Sequence, residues 1–168
     1  MTETAAQRSR IMRAVKTRDT KPELAVRRLL YRLGYRYWLH RLDLPGKPDI
    51  VFAGRRKVIF IHGCFWHGHD CARGSRVPAT NTDYWVAKIR RNVARDQKSL
   101  ASLADAGWAA LVLWECELGE SLEERLRAFL DKHADSELKP AGIPINYRPP
   151  FRFEAGHDSN QLSAVFRL

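Results

Sequence analysis

Val26, Leu29, Leu30 and Leu33 recur at the i, i+3, i+4, i+7 spacing of one helical face. Thr20-Lys21-Pro22-Glu23 ahead of them has the makings of a helix start: a hydroxyl for the N-cap, an early proline and a glutamate at the capping-box position. Gly34 predicts the stop. Residues 35–40, rich in aromatics, predict a strand, and Leu44-Pro45-Gly46-Lys47-Pro48 a turn. Two short apolar runs, 49–53 and 57–62, flank Gly54-Arg55-Arg56 as a hairpin. An irregular, unusually composed loop runs from Gly63 to Thr82. Thr82 then predicts the cap of a long helix over 83–106, with Val86, Ile89 and Val93 on its inner face and Gly107 at its end. The apolar run 108–114 predicts a strand buried on both faces. Ser121-Leu122-Glu123-Glu124 predicts a second capping box, opening a helix with Leu122, Leu126, Phe129 and Leu130 inward. Helix, strands, helix, strand, helix is the order of an α/β layer protein with a central mixed sheet, whose strand order the pattern does not give.

Composition places this pattern. A chain of 168 residues, 45% hydrophobic and 29% charged, has the size of one domain with tails and the means to build a core. No apolar run approaches a membrane span, and the N-terminus has no apolar stretch of the secretory kind. The net charge of +10 points to a polyanion, and its placement is informative. Ten basic residues (Arg8, Arg10, Arg13, Lys16, Arg18, Lys21, Arg27, Arg28, Arg32, Arg36) face three acids within 1–36. Lys88, Arg90, Arg91, Arg95 and Lys98 form a second cluster around Asp96. Residues 1–19 therefore read as a basic arm, 20–134 as the folded domain, and 135–168, with four of the eight prolines and no period, as a tail without an assignable role.

Three cysteines and no export signal suggest reduced thiols in a cytoplasm rather than disulfides. Two of them lie in His62-Gly63-Cys64-Phe65-Trp66-His67-Gly68-His69-Asp70-Cys71, where two thiols and three imidazoles in ten residues are hard to explain as packing. Cys64, His69 and Cys71 with Cys116, just past the last strand, make a four-ligand set for a structural Zn2+; His67 or Asp70 in place of His69 satisfies the spacing equally. Asp49, at the mouth of the hairpin, suits Mg2+, which needs few protein ligands and keeps waters; His62 and His67 would lie nearby, and Glu23 could reach the site from its helix. An ordinary turn aspartate, a capping glutamate and, for Asp96, a helix-surface ion pair are the plainer readings. Phe65, Trp66 and Trp85 in basic surroundings are either core or a wedge that unstacks base pairs.

Together these residues resemble the very-short-patch repair (Vsr) endonucleases. The resemblance rests on Asp19-Thr20-Lys21-Pro22-Glu23, Leu44-Pro45-Gly46-Lys47-Pro48-Asp49, His62-Gly63-Cys64-Phe65-Trp66-His67, Pro78-Ala79-Thr80, Tyr84-Trp85 with Lys88, Asn92 with Arg95-Asp96, and Gly107-Trp108 through Trp114-Glu115-Cys116-Glu117. It implies the restriction-endonuclease-like PD-(D/E)XK fold, with Phe60 and His62 at the positions of the usual second acid and lysine. It implies Mg2+-dependent nicking of duplex DNA on the 5′ side of the thymine in T:G mismatches, which arise when 5-methylcytosine deaminates, and so the start of short-patch repair. By the same resemblance Asp49 is the Mg2+ ligand, joined by the backbone carbonyl of Ile61, and His67 is the general base. Glu23, His62 and Asp96 support them, and Cys64, His69, Cys71 and Cys116 hold structural Zn2+. Phe65, Trp66 and Trp85 form the wedge, Lys88, Asn92, Lys21, Arg13 and Lys16 contact DNA, and the arm clamps the minor groove. The loop 72–77 is slightly longer than the family pattern and rich in Arg and Gly, and the tail matches no motif.

The expected partner is double-stranded DNA with a T:G mismatch, together with mismatch-repair proteins. The expected setting is the bacterial cytoplasm at the nucleoid, and the expected state a monomer. The rival readings are a related sequence-specific or defence-associated nickase and a zinc-stabilised DNA-binding module without catalysis; the complete set of Asp49, His62 and His67 argues against the second.

Overall fold

The computed structural model describes residues 18–132. Residues 1–17 of the basic arm, with Arg13 and Lys16, and the tail lie outside the described residues. Helix α1 (Lys21–Arg32) begins as the sequence predicts. Thr20 is extended, its hydroxyl accepts from Glu23 N–H at 3.4 Å, and the Glu23 carboxylate reaches back to Thr20 Oγ1 and to the Asp19 N–H. At the other end Gly34 takes φ +86°, a region glycine enters without steric cost, and Tyr35 N–H returns to Leu30 O.

Strands β1 (Trp38–Leu39), β2 (Ile50–Phe52), β3 (Lys57–His62) and β4 (Ala109–Trp114) form one mixed sheet in that order. β1, β2 and β3 are antiparallel neighbours, and β4 runs parallel to β3. Between β3 and β4 lies helix α2 (Thr82–Asp105), and helix α3 (Leu122–Asp131) follows the sheet. The alternation of strand side chains divides the core. Ile50, Phe52, Ile59 and Leu113 point to one face and pack with Val26, Leu29 and Leu30 of α1 and Leu122, Leu126 and Leu130 of α3. Val51, Val58, Phe60, Val112 and Trp114 point to the other, against Leu100 and Leu103 of α2 and Cys64. Helices on both faces explain why β2 and β3 read as nearly continuous apolar runs. Arg55 and Lys57 fasten α3 by donating to its last carbonyls, including Leu130 O at 2.8 and 3.1 Å.

Several expectations are corrected. The strand predicted over 35–40 shrinks to two residues, because Tyr35 and Tyr37 turn their rings onto Phe52 as part of the loop instead of extending the ladder. Thr82 is the first residue of α2, not its cap. Asn81, left-handed at φ 54°, precedes the helix, and the Thr82 hydroxyl donates to Pro78 O. Ser121 is already helical and makes no side-chain cap bond, so the second capping box does not form. The inner face of α2 is Trp85, Ile89, Leu100 and Leu103, with Val86 and Val93 only half-buried at its flank. β4 starts at Ala109, and only its last three residues are fully buried.

Candidate active site and metal centre

The parallel pairing of β3 and β4 brings His62 opposite Trp114, so the chain leaves both strands at one end of the sheet. β2 starts at that same end because it is antiparallel to β3. Asp49, just ahead of β2, therefore lies beside the end of β3, and its Oδ2 accepts the Ile61 N–H at 2.7 Å. A cavity of about 1060 Å³ opens there, and Glu23, Asp49, His62, His67, Asp96 and Trp66 are among its walls. Ile61, Lys21, Lys88 and Asn92 also line it. All five predicted catalytic residues thus meet at one opening, although they come from α1, the β1–β2 loop, β3, the cysteine loop and α2.

Burial, together with the charge of nearby Glu23, pushes the Asp49 carboxyl up to about 6 from an ordinary 3.8, against the pull of the Ile61 N–H, His40 and Arg27. A cation at this point would reverse that shift, and a hard divalent ion suits an oxygen donor. The site thus fits Mg2+ by its chemistry.

His67 Nδ1 lies 2.5 Å from Asp96 Oδ2. An ionised carboxylate only accepts, so His67 is the donor in this contact, through Nδ1. His62 stacks on His67 with centroids 3.8 Å apart and planes within 9°. Burial, and then the neighbouring His67 and Arg95, hold His62 well below the usual imidazole range, so it stays neutral beside its partner. Asp96 is thereby bound to His67 and not spent on a helix-surface pair. Asn92, one turn earlier, donates to Trp66 O at 2.9 Å and ties the cysteine loop to α2.

A second cluster is built from the same loop and the chain just past β4. Cys64, His69, Cys71 and Cys116 each direct one ligand atom into a group within 4.8 Å of one another, and neither His67 nor Asp70 belongs to it. Of the spacing alternatives, it is His69 that lies with the three thiols. Cys64 is fully buried, which pushes its thiol far up, whereas the Cys71 thiol is brought down to about 6. Burial raises Cys71, but His69 and the Gly74 and Arg73 N–H groups outweigh it. His69 stacks on Trp114 at 4.4 Å and contacts Cys116 Sγ through Nδ1 at 3.4 Å. At Gly74 the chain passes so close to His69 O that a Cβ would sit 2.1 Å from it, so only glycine closes the loop. Three thiols and an imidazole are the soft donor set that suits a tetrahedral metal closed to water.

The aromatic residues cluster beside the cavity. Phe65, Trp66 and Trp85 meet edge to face with centroids 5.1–6.0 Å apart, and Lys88 Nζ stands 5.4 Å from the Trp66 ring and 5.5 Å from that of Trp85. Trp85 is buried, while Phe65 and Trp66 are half-exposed. Three participants escaped the sequence reading. Arg27 and His40 join Asp19 and Glu23 in a polar knot, and Glu115 accepts the Cys64 N–H at 3.1 Å. Glu115 stands directly before Cys116, which was the available signal; His40 carried none.

The family model described as DNA mismatch endonuclease Vsr matches residues 2–73. The chain is 54% identical over 127 residues to the type II nicking enzyme V.XorIIP of Xanthomonas oryzae pv. oryzae, covering 74% of this chain and 93% of the relative. It is 41% identical over 148 residues to the DNA mismatch endonuclease Vsr of Escherichia coli, covering 83% and 94%. It is 47% identical over 131 residues to the type II nicking enzyme V.NaeI of Lentzea aerocolonigenes, covering 75% and 76%.

Proposed function

The chain belongs to the Vsr family of DNA mismatch endonucleases, and on that premise we propose that it nicks duplex DNA on the 5′ side of the thymine in a T:G mismatch. The observation that carries this reading is the meeting of Asp49, Glu23, His62 and the His67–Asp96 pair in one cavity walled by Trp66. Its sheet, with helices on both faces and the acid at the mouth of a hairpin, is compatible with the restriction-endonuclease-like fold.

Mg2+ held by Asp49 and the Ile61 carbonyl would supply positive charge to the scissile phosphate and the leaving 3′ oxygen. His67 takes the proton of the attacking water at Nε2. Asp96 fixes the tautomer that makes this atom the base and stabilises the imidazolium that forms. His62, neutral and stacked on His67, holds the ring plane. Glu23 orients the hydration of the site from the first turn of α1. The products are a 5′-phosphate and a 3′-hydroxyl. Zn2+ held by Cys64, His69, Cys71 and Cys116 would pin the loop that carries both Trp66 and His67. Phe65 and Trp66, backed by buried Trp85, enter the stack beside the mismatch, where unpairing costs least. Lys88 and Asn92 line this approach, and Lys21, with Arg13 and Lys16 of the arm, adds phosphate contacts that weaken with salt.

A second reading rests on the names of two relatives, both type II nicking enzymes: nicking governed by sequence context. One experiment separates the two. Duplexes carrying each mismatch, and their fully paired counterparts, are incubated with Mg2+, and the nicked strand and position are mapped. Cleavage 5′ of the thymine in T:G alone supports the proposal. Equal cleavage of the paired duplex supports the second reading and overturns the first.

A further inference from the structure

Asp19, Glu23 and His40 direct ligand atoms toward one another within 4.8 Å, as a metal site would. The place of the ion is taken by a side chain. Arg27 Nη1 lies 2.5 Å from Asp19 Oδ1, and Nη2 lies 2.9 Å from both Glu23 Oε2 and His40 Nε2. Arg27 is 8% exposed and Glu23 4%, on the same face of α1 one turn apart. Arg27 Nε has no hydrogen-bond partner among the described residues, so this guanidinium is held at a desolvation cost. A charge buried at that cost beside the nuclease cavity calls for a use.

We propose that Arg27 is a positioning residue for the nuclease site, a resident cation that fixes the Glu23 carboxylate beside Asp49. This inference rests on the reading of Glu23 as a group of the active site. Glu23 has two carboxylate oxygens; Oε1 is taken by the Thr20 hydroxyl, and Oε2 is shared by Arg27 and the Asp19 N–H. Those bonds leave the carboxylate one orientation. Arg27 also holds His40, whose own N–H bonds to the Asp49 carbonyl at 3.4 Å. One planar fork thus joins α1 to the residue carrying the acid, which an ammonium, a point charge, would do less well. Guanidinium has only donors, so His40 Nε2 is the acceptor in this contact.

The test is a double-mutant cycle of Arg27→Met and Glu23→Gln on a T:G duplex, with 15N spectra of the His40 ring. Arg27→Met should lower kcat by about 10- to 100-fold, the usual cost of removing a partner of a metal-site group, with KM for DNA unchanged. In the Glu23→Gln background, loss of Arg27 should then lower kcat by clearly less than it does in the wild type, because the route through Glu23 is already gone. The spectra should show the Nδ1–H tautomer in the wild type and its loss in Arg27→Met. Multiplicative effects on kcat, or an Nε2–H tautomer in the wild type, would overturn the inference. Wild-type turnover in Glu23→Gln alone would instead overturn the reading of Glu23. Should Arg27→Met fail to fold, Arg27→Lys replaces it in the same cycle, where multiplicative effects again refute.

Discussion

Asp49 should destabilise the protein that depends on it. Its carboxyl ionises near 3.8 when unfolded and about 6 when folded, because burial and Glu23 disfavour the charge. Between those values the native chain binds more protons than the unfolded one, so stability falls as pH rises through this window and the full penalty stands above about pH 6. A shift of this size corresponds to about 3 kcal/mol, an upper bound since Asp49 is only partly buried. Asp49→Asn cannot ionise and keeps an oxygen for the Ile61 N–H. Without added Mg2+, the variant should be more stable than wild type by about 1–3 kcal/mol at pH 8, some 2–12 °C in Tm for a chain of this size. The gain should shrink to about 0.5 kcal/mol near pH 4 and vanish below about pH 3, where both states of the wild type are protonated. Mg2+ should stabilise the wild type alone. Urea melts at both pH values, without a strong chelator, measure this. Equal stability at pH 8, or an equal gain at pH 4, would refute the reasoning.

Three further outcomes follow from the site. Nicking should rise with pH through an acid limb near 6, and higher Mg2+ should move that limb to lower pH, because proton and cation compete for Asp49; pH–rate profiles at two Mg2+ concentrations check this. The purified protein should contain one zinc per chain by elemental analysis, and Cys116→Ser should lower both the zinc content and Tm; a metal-free wild type with the same Tm would contradict the assignment. Trp66→Ala should reduce the preference for T:G over T:A duplex by about 10-fold or more, since unstacking involves a few kcal/mol per step; as the ring also covers buried Trp85, the comparison is made on a variant shown to be folded.

The parts of the fold legible in the sequence were those with local causes. Thr20 and Glu23 carry their capping chemistry within four residues, and Gly34 its left-handed stop. The hairpin around Gly54 and the buried runs of β2 and β3 are likewise local. What failed were details decided by contacts across the chain. Tyr35 and Tyr37 leave the strand for Phe52, and Trp85 takes the inner face of α2 because Phe65 and Trp66 cover it. The thiols and imidazoles were legible because their number exceeded any packing need. Spacing alone left His69, His67 and Asp70 open; the contacts that group His69 with the thiols and pair His67 with Asp96, 29 residues away, are not local. Arg27 and His40 were invisible for the same reason: an arginine on a basic helix has no local mark that it turns inward.

The central claim is tested most directly by single-turnover nicking of one T:G duplex with Mg2+, comparing wild type with Asp49→Asn and resolving the ends. The account predicts a single cut 5′ of the thymine, leaving a 5′-phosphate and a 3′-hydroxyl, lost in the folded variant. The same cut at the wild-type rate in Asp49→Asn would contradict it.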